Sequence, residues 1–312
     1  MTRNGLLWIL ALSLWVTGVR AQLDVPFTHF WMVTPQYNPA AVGTSPMLRV
    51  IGCYSNQFAG YTDNPKTMYV GADMPLTGKK SRHAIGGHFL NDELGAFAHK
   101  RVVLQYAYGF PFLGGMLSVG LQGEVLNETL DGGKMDVEQS GDLAIPSGSI
   151  NGTKLDGAAG LFFQSKRFYI GLSSLHLTAP TVTLGETNLV KVERSYYATA
   201  GCEILLNNPC FSLHPCMRWM YDGVSDRGDV AMRVQYEQDK KNLFAGAGYS
   251  PGISASLFVG GKWHGLVLSY SYEAYTGHVG LGNGAHEIVL SYEVDLNMEK
   301  KGKNYHQSVR YL

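Results

Sequence analysis

The feature that most limits how this chain can fold is a two-residue alternation with one bulky apolar side and one small or polar side. In residues 101–110 the bulky set is Val102, Leu104, Tyr106, Tyr108 and Phe110, facing away from Arg101, Val103, Gln105, Ala107 and Gly109. Residues 266–273 set Leu266, Leu268, Tyr270 and Tyr272 against Val267, Ser269, Ser271 and Glu273. Residues 287–296 set Ile288, Leu290, Tyr292, Val294 and Leu296 against Glu287, Val289, Ser291, Glu293 and Asp295. Residues 229–237 repeat the pattern, with Val230, Met232, Val234 and Tyr236 opposite Asp229, Ala231, Arg233, Gln235 and Glu237. Successive side chains of a strand point to opposite faces, so each segment is a strand with a single apolar face. Two architectures use such strands. A soluble sandwich turns the apolar face inward; a membrane barrel turns it outward, into lipid.

Composition and loop lengths separate the two. Only 16% of the 312 residues are charged, while 38 are glycine and 18 are tyrosine. Gly and Ser crowd the second face, as in a narrow lumen, and tyrosines gather near strand ends, where an aromatic belt sits at a membrane interface. Strands are predicted at 48–56, 66–74, 82–90, 100–111, 115–127, 154–164, 167–176, 195–205, 211–220, 229–237, 242–250, 253–262, 266–274 and 285–294, fourteen in all. Every even-to-odd link is short. Most odd-to-even links are longer, notably 128–153, 177–194 and 274–284, with 251–252 the exception. A sandwich has no reason to sort its loops this way; an outer-membrane barrel does, with short turns inside and long loops outside the cell. The predicted fold class is therefore all-β, a transmembrane outer-membrane β-barrel of about fourteen antiparallel strands.

The ends of the chain differ from the barrel. Residues 1–21 carry Arg3, an apolar run from Leu6 to Val16 and the small-x-small sequence Val19-Arg20-Ala21, the plan of a cleavable secretory signal. After position 21 no stretch of 18 apolar residues follows, so no membrane helix is expected. Removing the signal leaves 23 basic and 25 acidic residues, and this balance gives no footprint for nucleic acid. Residues 22–47 form a lead-in punctuated by Pro26, Pro35 and Pro39, which bar a regular helix or central strand. Its aromatics Phe27, Phe30 and Tyr37 are costly to leave in water, so the segment is expected to fold into or against the lumen as a plug. Residues 48–296 are the barrel. Residues 297–312 form a tail holding Lys300, Lys301, Lys303 and Arg310 against one acid, Glu299, a basic arm suited to an acidic periplasmic partner.

No chemistry of an enzyme emerges. Cys53, Cys202, Cys210 and Cys216 lack CxxC spacing, although Cys202 and Cys216 lie nearly symmetrically about a turn at 207–210. The ten histidines show no metal-ligand spacing, and His176 and His286 at strand ends are read as hydrogen-bonded structure. No GxSxG elbow occurs. Neither a catalytic residue, a metal nor a cofactor is expected. The sequons Asn127-Glu128-Thr129 and Asn151-Gly152-Thr153 are expected in an exposed loop.

Several motifs in order along the chain carry a resemblance. The lead-in Asp24-x-Pro26-Phe27-Thr28, with Tyr37-Asn38-Pro39-Ala40 and Gly43, resembles the mature start of the PorP/SprF family of type IX secretion outer-membrane proteins. Tyr54-Ser55-Asn56-Gln57-Phe58 is similar to that family's YRNQW-like stretch, with Ser55 in place of the usual Arg, and Pro65-Lys66-Thr67 to its PxT. Asn91-Asp92 with Gly95, the strand 168–173 with His176-Leu177, and His286-Glu287-Ile288 with Leu290 and Tyr292 also resemble family segments. The resemblance implies a fourteen-stranded barrel in the outer membrane and a non-enzymatic part in type IX secretion. Partners it implies are exported cargo proteins with C-terminal secretion signals and the periplasmic and outer-membrane components of the machine. Candidate plug or partner-binding residues are then Asp24, Pro26, Phe27, Phe30, Tyr37, Asn38, Pro39, Asn56 and Gln57, with the four basic tail residues. A rival reading is a passive or hydrophobic-solute channel, since fourteen-stranded fatty-acid transporters also carry an NPA motif like Asn38-Pro39-Ala40. An outer-membrane hydrolase is the other, and it lacks a catalytic constellation.

Overall fold

The computed structural model describes residues 24–76, 82–135, 146, 148–185, 188–223, 225–238, 241–277 and 283–294. The expected signal segment and the basic tail, with Lys300, Lys301, Lys303 and Arg310, lie outside the described residues.

Within the described residues the alternating segments all form strands. The first half of the wall is β1 (Leu48–Asn56), β2 (Lys66–Leu76), β3 (Arg82–Leu94), β4 (Phe97–Phe112), β5 (Gly115–Asp131), β6 (Ser149–Gln164) and β7 (Phe168–Leu175). A small hairpin follows, β8 (Thr181–Leu184) with β9 (Asn188–Lys191). The second half is β10 (Ser195–Cys202), β11 (Ile204–Leu205), β12 (Phe211–Tyr221), β13 (Asp226–Gln238), β14 (Lys241–Ser250), β15 (Ser254–Trp263), β16 (Leu266–Tyr275) and β17 (Ala285–Val294). β10 and β11 both pair with β12 and act as one wall strand interrupted at Glu203. β17 returns to β1, from Leu48↔Val294 to Asn56↔His286, which closes an antiparallel barrel of 14 strands. A closed sheet has no edge of unpaired N–H and C=O groups, the condition for crossing lipid with strands.

Which face is buried decides the solvent. In β4, Val102, Leu104, Tyr106 and Tyr108 are exposed, Leu104 at 74%, whereas Arg101, Val103, Gln105 and Ala107 are buried. In β17, Ile288, Leu290 and Tyr292 are exposed, while Glu287, Val289 and Ser291 are buried. A sandwich in water would do the reverse. The outer surface is built for lipid. Exposed aromatics ring both ends of it: Tyr54, Tyr196, Trp219, Tyr221, Tyr249 and Tyr272 toward one, and Tyr106, Tyr108, Phe112, Trp263 and Tyr292 toward the other.

Three expectations need correction. The wall between β3 and β6 is taller than the alternation suggested, because β3 runs on to Leu94, β5 to Asp131, and β6 begins at Ser149. The expected loop 128–153 thus shrinks to the link 132–148, and residues 91–99 become a tight turn at Gly95 and Ala96. The two sequons are consequently not in a loop: Asn127 pairs with Thr153 and Thr129 with Asn151 across β5 and β6. Third, the link 177–194 contains the β8–β9 hairpin, whose Val182 and Leu184 are fully buried against Leu126, Leu130 and Val192. The hairpin caps the long-loop end of the lumen.

Candidate functional site: the plugged lumen

From Asp24, the first described residue, beside Arg101, His176 and Tyr197 toward the long-loop end, the lead-in runs through the lumen to the short-turn end, where β1 begins. Its prolines keep it irregular, apart from one helical turn, Thr34–Tyr37, and a 3-10 turn, Pro39–Ala41. Val25, Phe27, Phe30, Val33 and Tyr37 are buried in one cluster with inward residues of the wall, among them Ile51, Tyr69, Leu90, Leu175 and Val289. Burying each large apolar side chain contributes on the order of 2 kcal/mol. Tyr37 also folds the segment on itself, since its hydroxyl accepts from Phe27 N at 3.0 Å and donates to Val25 O at 3.1 Å.

Polar inward side chains fix the segment at four points. At the top, Asp24 Oδ1 accepts from Arg101 Nη1 at 2.9 Å, and Asp24 Oδ2 accepts from the Tyr197 hydroxyl at 2.8 Å. Burial alone would raise the Asp24 pKa, but His176 and Arg101 beside it hold the carboxyl well below the usual carboxylate range. Lower down, Glu287 receives Thr28 N at 2.9 Å, His29 N at 2.8 Å and the His29 ring at 2.6 Å. The third point is Arg218, paired with Asp229 through Nε at 3.0 Å, its guanidinium 4.5 Å from the Tyr37 ring centre and 5.1 Å from that of Phe30. The last is Asn38, whose oxygen caps Ala40 N at 2.9 Å and whose amide donates to Leu161 O and Leu172 O at 3.0 and 3.3 Å.

Close approach to the wall needs glycine. A Cβ on Gly120 would lie 2.2 Å from Ala40 N, and one on Gly160 would lie 2.2 Å from the Asn38 side-chain oxygen. Below the plug, a cavity of about 380 Å³ opens at the short-turn end, lined by Trp31, Met32, Arg49, Tyr169, Arg233 and Phe258 among others.

Asp24, Phe27, Phe30, Tyr37, Asn38 and Pro39 are thus brought together inside the lumen, all buried, with Pro26 half-buried among them. Asn56 and Gln57 are elsewhere. They close the link 57–65, where Asn64 donates to both and Gln57 N donates to Pro65 O at 2.9 Å. The partners Arg101, Glu287 and Arg218 escaped the sequence reading. Arg101 and Glu287 are legible as inward charges, and Glu287 also as part of the motif His286-Glu287-Ile288, but neither signal names a partner. The thiols of Cys53, Cys202, Cys210 and Cys216 are free, although Cys216 faces Gly201, the neighbour of Cys202. Among the described residues, one group could hold a metal ion: Glu124, Asp156 and His176.

The profile of the family described as type IX secretion system membrane protein PorP/SprF matches residues 19–292. The chain belongs to the PorP/SprF family. It is a membrane component of type IX secretion, and its barrel places it in the outer membrane. No curated protein matches the sequence. Among solved structures, the chain is similar to the CymD monoaromatic hydrocarbon channel, at 12% identity over 88% of this chain and 94% of that one, TM-score 0.49. It is also similar to a Pseudomonas aeruginosa FadL homologue, at 11% identity over 82% and 91%, TM-score 0.48. The Pseudomonas putida toluene transporter TodX is similar at 10% identity over 86% and 94%, TM-score 0.46.

Proposed function

We propose that this PorP/SprF barrel serves type IX secretion as a sealed, non-enzymatic scaffold. It would assist secretion or surface attachment of cargo bearing C-terminal secretion signals and connect to periplasmic components of the machine. The observation that carries the reading is the pinned lead-in. A lumen filled by residues 24–47, fixed through Asp24–Arg101 and His29–Glu287 and capped by β8–β9, suits a docking body better than a conduit. The polar inward face, with Glu124, Glu128, Glu273 and Glu287, disfavours an apolar solute path. In this reading the β8–β9 hairpin faces outside the cell. The cavity at the short-turn end and the basic tail face the periplasm, and residues 1–21 are the cleaved export signal.

Gene deletion tests the reading. Export of cargo with C-terminal signals should fail while uptake of small apolar solutes is unchanged. Normal cargo export with lost solute uptake would instead favour a hydrophobic-solute channel. Truncation after Asp295 should leave the barrel in the outer membrane and weaken co-purification with periplasmic components.

A further inference from the structure

Beneath the β8–β9 cap, three side chains from successive parts of the wall converge on one point. Glu124 of β5, Asp156 of β6 and His176, the residue after β7, are all buried, and one ligand atom from each lies within 4.8 Å of the others. His176 Nδ1 stands 2.8 Å from Asp156 Oδ2 and 3.2 Å from Glu124 Oε1. A single ring proton there serves Asp156. Glu124 Oε1, on a fully buried side chain, is left with no hydrogen bond. Buried carboxylate oxygens are normally satisfied, so an orphan aimed into a cluster marks a missing partner.

The charges give that partner its sign. Asp24 is matched by Arg101, and His176 alone stands between Glu124 and Asp156, so the cluster holds one more carboxylate than it has basic partners. The surroundings also match a metal site. Histidine ligands give their second ring N–H to a carboxylate, and His176 Nε2 faces Asp24 Oδ1 at 3.3 Å. Asp24 is itself fixed by Arg101 and Tyr197. Asp156 Oδ1 is occupied by Thr178 N and Thr178 Oγ1 at 3.1 and 2.8 Å, which leaves Oδ2 for an ion.

The geometry points to a divalent transition-metal site formed by Glu124, Asp156 and His176, with zinc as its reference ion. One imidazole and two carboxylates, with water in the fourth position, form a donor set suited to zinc. Ligand atoms about 2.0–2.2 Å from one tetrahedral ion lie about 3.4 Å apart, so Asp156 Oδ2 and Glu124 Oε1, at 2.8 and 3.2 Å from His176 Nδ1, move away from the ring by a few tenths of an ångström on loading. Binding displaces the Nδ1 proton to solvent. The ion ties β5, β6 and the start of the capping link together, beside Asp24 of the lead-in. This holds whatever the barrel does in secretion.

The test uses full-length protein without a histidine tag, purified from outer membranes in detergent and stripped with chelator. Equilibrium dialysis against micromolar zinc should load about one ion per chain. Glu124→Gln and His176→Asn should each weaken binding about tenfold or more, and replacing all four cysteines by serine should leave it unchanged. X-ray absorption on the zinc-loaded wild-type protein needs no variant and should show one imidazole nitrogen with oxygen neighbours. The proposal is overturned by a chain that takes up no stoichiometric zinc, by sulfur in the ligand shell, or by folded Glu124→Gln and His176→Asn variants that bind as wild type does.

Discussion

His29 offers both its backbone N–H and its ring Nδ1 to the same oxygen of Glu287, at 2.8 and 2.6 Å, across 258 positions of sequence. With Thr28 N on the other oxygen at 2.9 Å, one carboxylate near the start of the last strand holds the start of the lead-in. Neither His29 nor Glu287 reaches solvent.

Glu287→Ala leaves three donors facing a gap. Removing one partner of a buried charged contact costs about 3–5 kcal/mol, and Glu287→Gln, which keeps an acceptor, should cost less. Chymotrypsin in detergent should cut the Glu287→Ala protein at Phe27, Phe30 or Trp31, while the barrel keeps its heat-dependent gel mobility. Wild-type protection of those sites would show that Glu287 does not hold the segment.

Gly120→Ala tests the contact of the lead-in with the wall. The added methyl would meet Ala40 N, Ala40 Cα and Pro39 C, all backbone atoms. Overpacking of this kind costs about 1–3 kcal/mol. Gly123, whose Cβ would meet nothing within 4 Å, is the control. A lower unfolding temperature for Gly120→Ala than for Gly123→Ala is expected, and equal values would contradict the close approach.

Replacing Asn38 and Pro39 together by alanine removes the Ala40 cap and the two bonds to the carbonyls of β6 and β7. The loss of the cap alone costs about 1 kcal/mol. The barrel should still insert, and cargo export should fall. Undiminished export at normal protein levels would reduce this segment to packing.

Orientation is tested by labelling intact cells in a cysteine-free background. Thr183→Cys, exposed on β8, should react with an impermeant maleimide, and Asn207→Cys, in the link between β11 and β12, should not. The opposite pattern would invert the barrel.

The wall was legible because alternation is a local property. Leu104 and Gln105 declare their faces without reference to any other strand, and so do Leu290 and Ser291. The capping hairpin carried a signal too, in the alternation of Thr181, Val182, Thr183 and Leu184 before Gly185 at φ 62°, but its strands are only four residues long. The burial of Phe27 and Tyr37 followed from their apolar surface. The identity of their neighbours did not, because pairs such as Asp24 with Arg101 or Thr28 with Glu273 join residues 77 and 245 positions apart. A charge on an inward position says that a partner exists, and only the closed barrel says which.

The pinned lead-in also constrains the order in which the barrel can assemble. Residues 24–47 precede every strand of the wall, yet Ser269, Glu273 and Glu287, which bind Thr28 and His29, lie on its last two strands. Until β16 and β17 are in place, the ring and N–H of His29 lack their partners Ser269 and Glu287, and once β17 has zipped onto β1 the barrel is shut around whatever lies inside. The leading segment must therefore be threaded before closure and can settle only afterwards. Loops of some 240 residues have to close before those contacts return any free energy. Assembly of this barrel is thus a problem of timing, in which the segment that precedes the whole wall in sequence is the last to find its place.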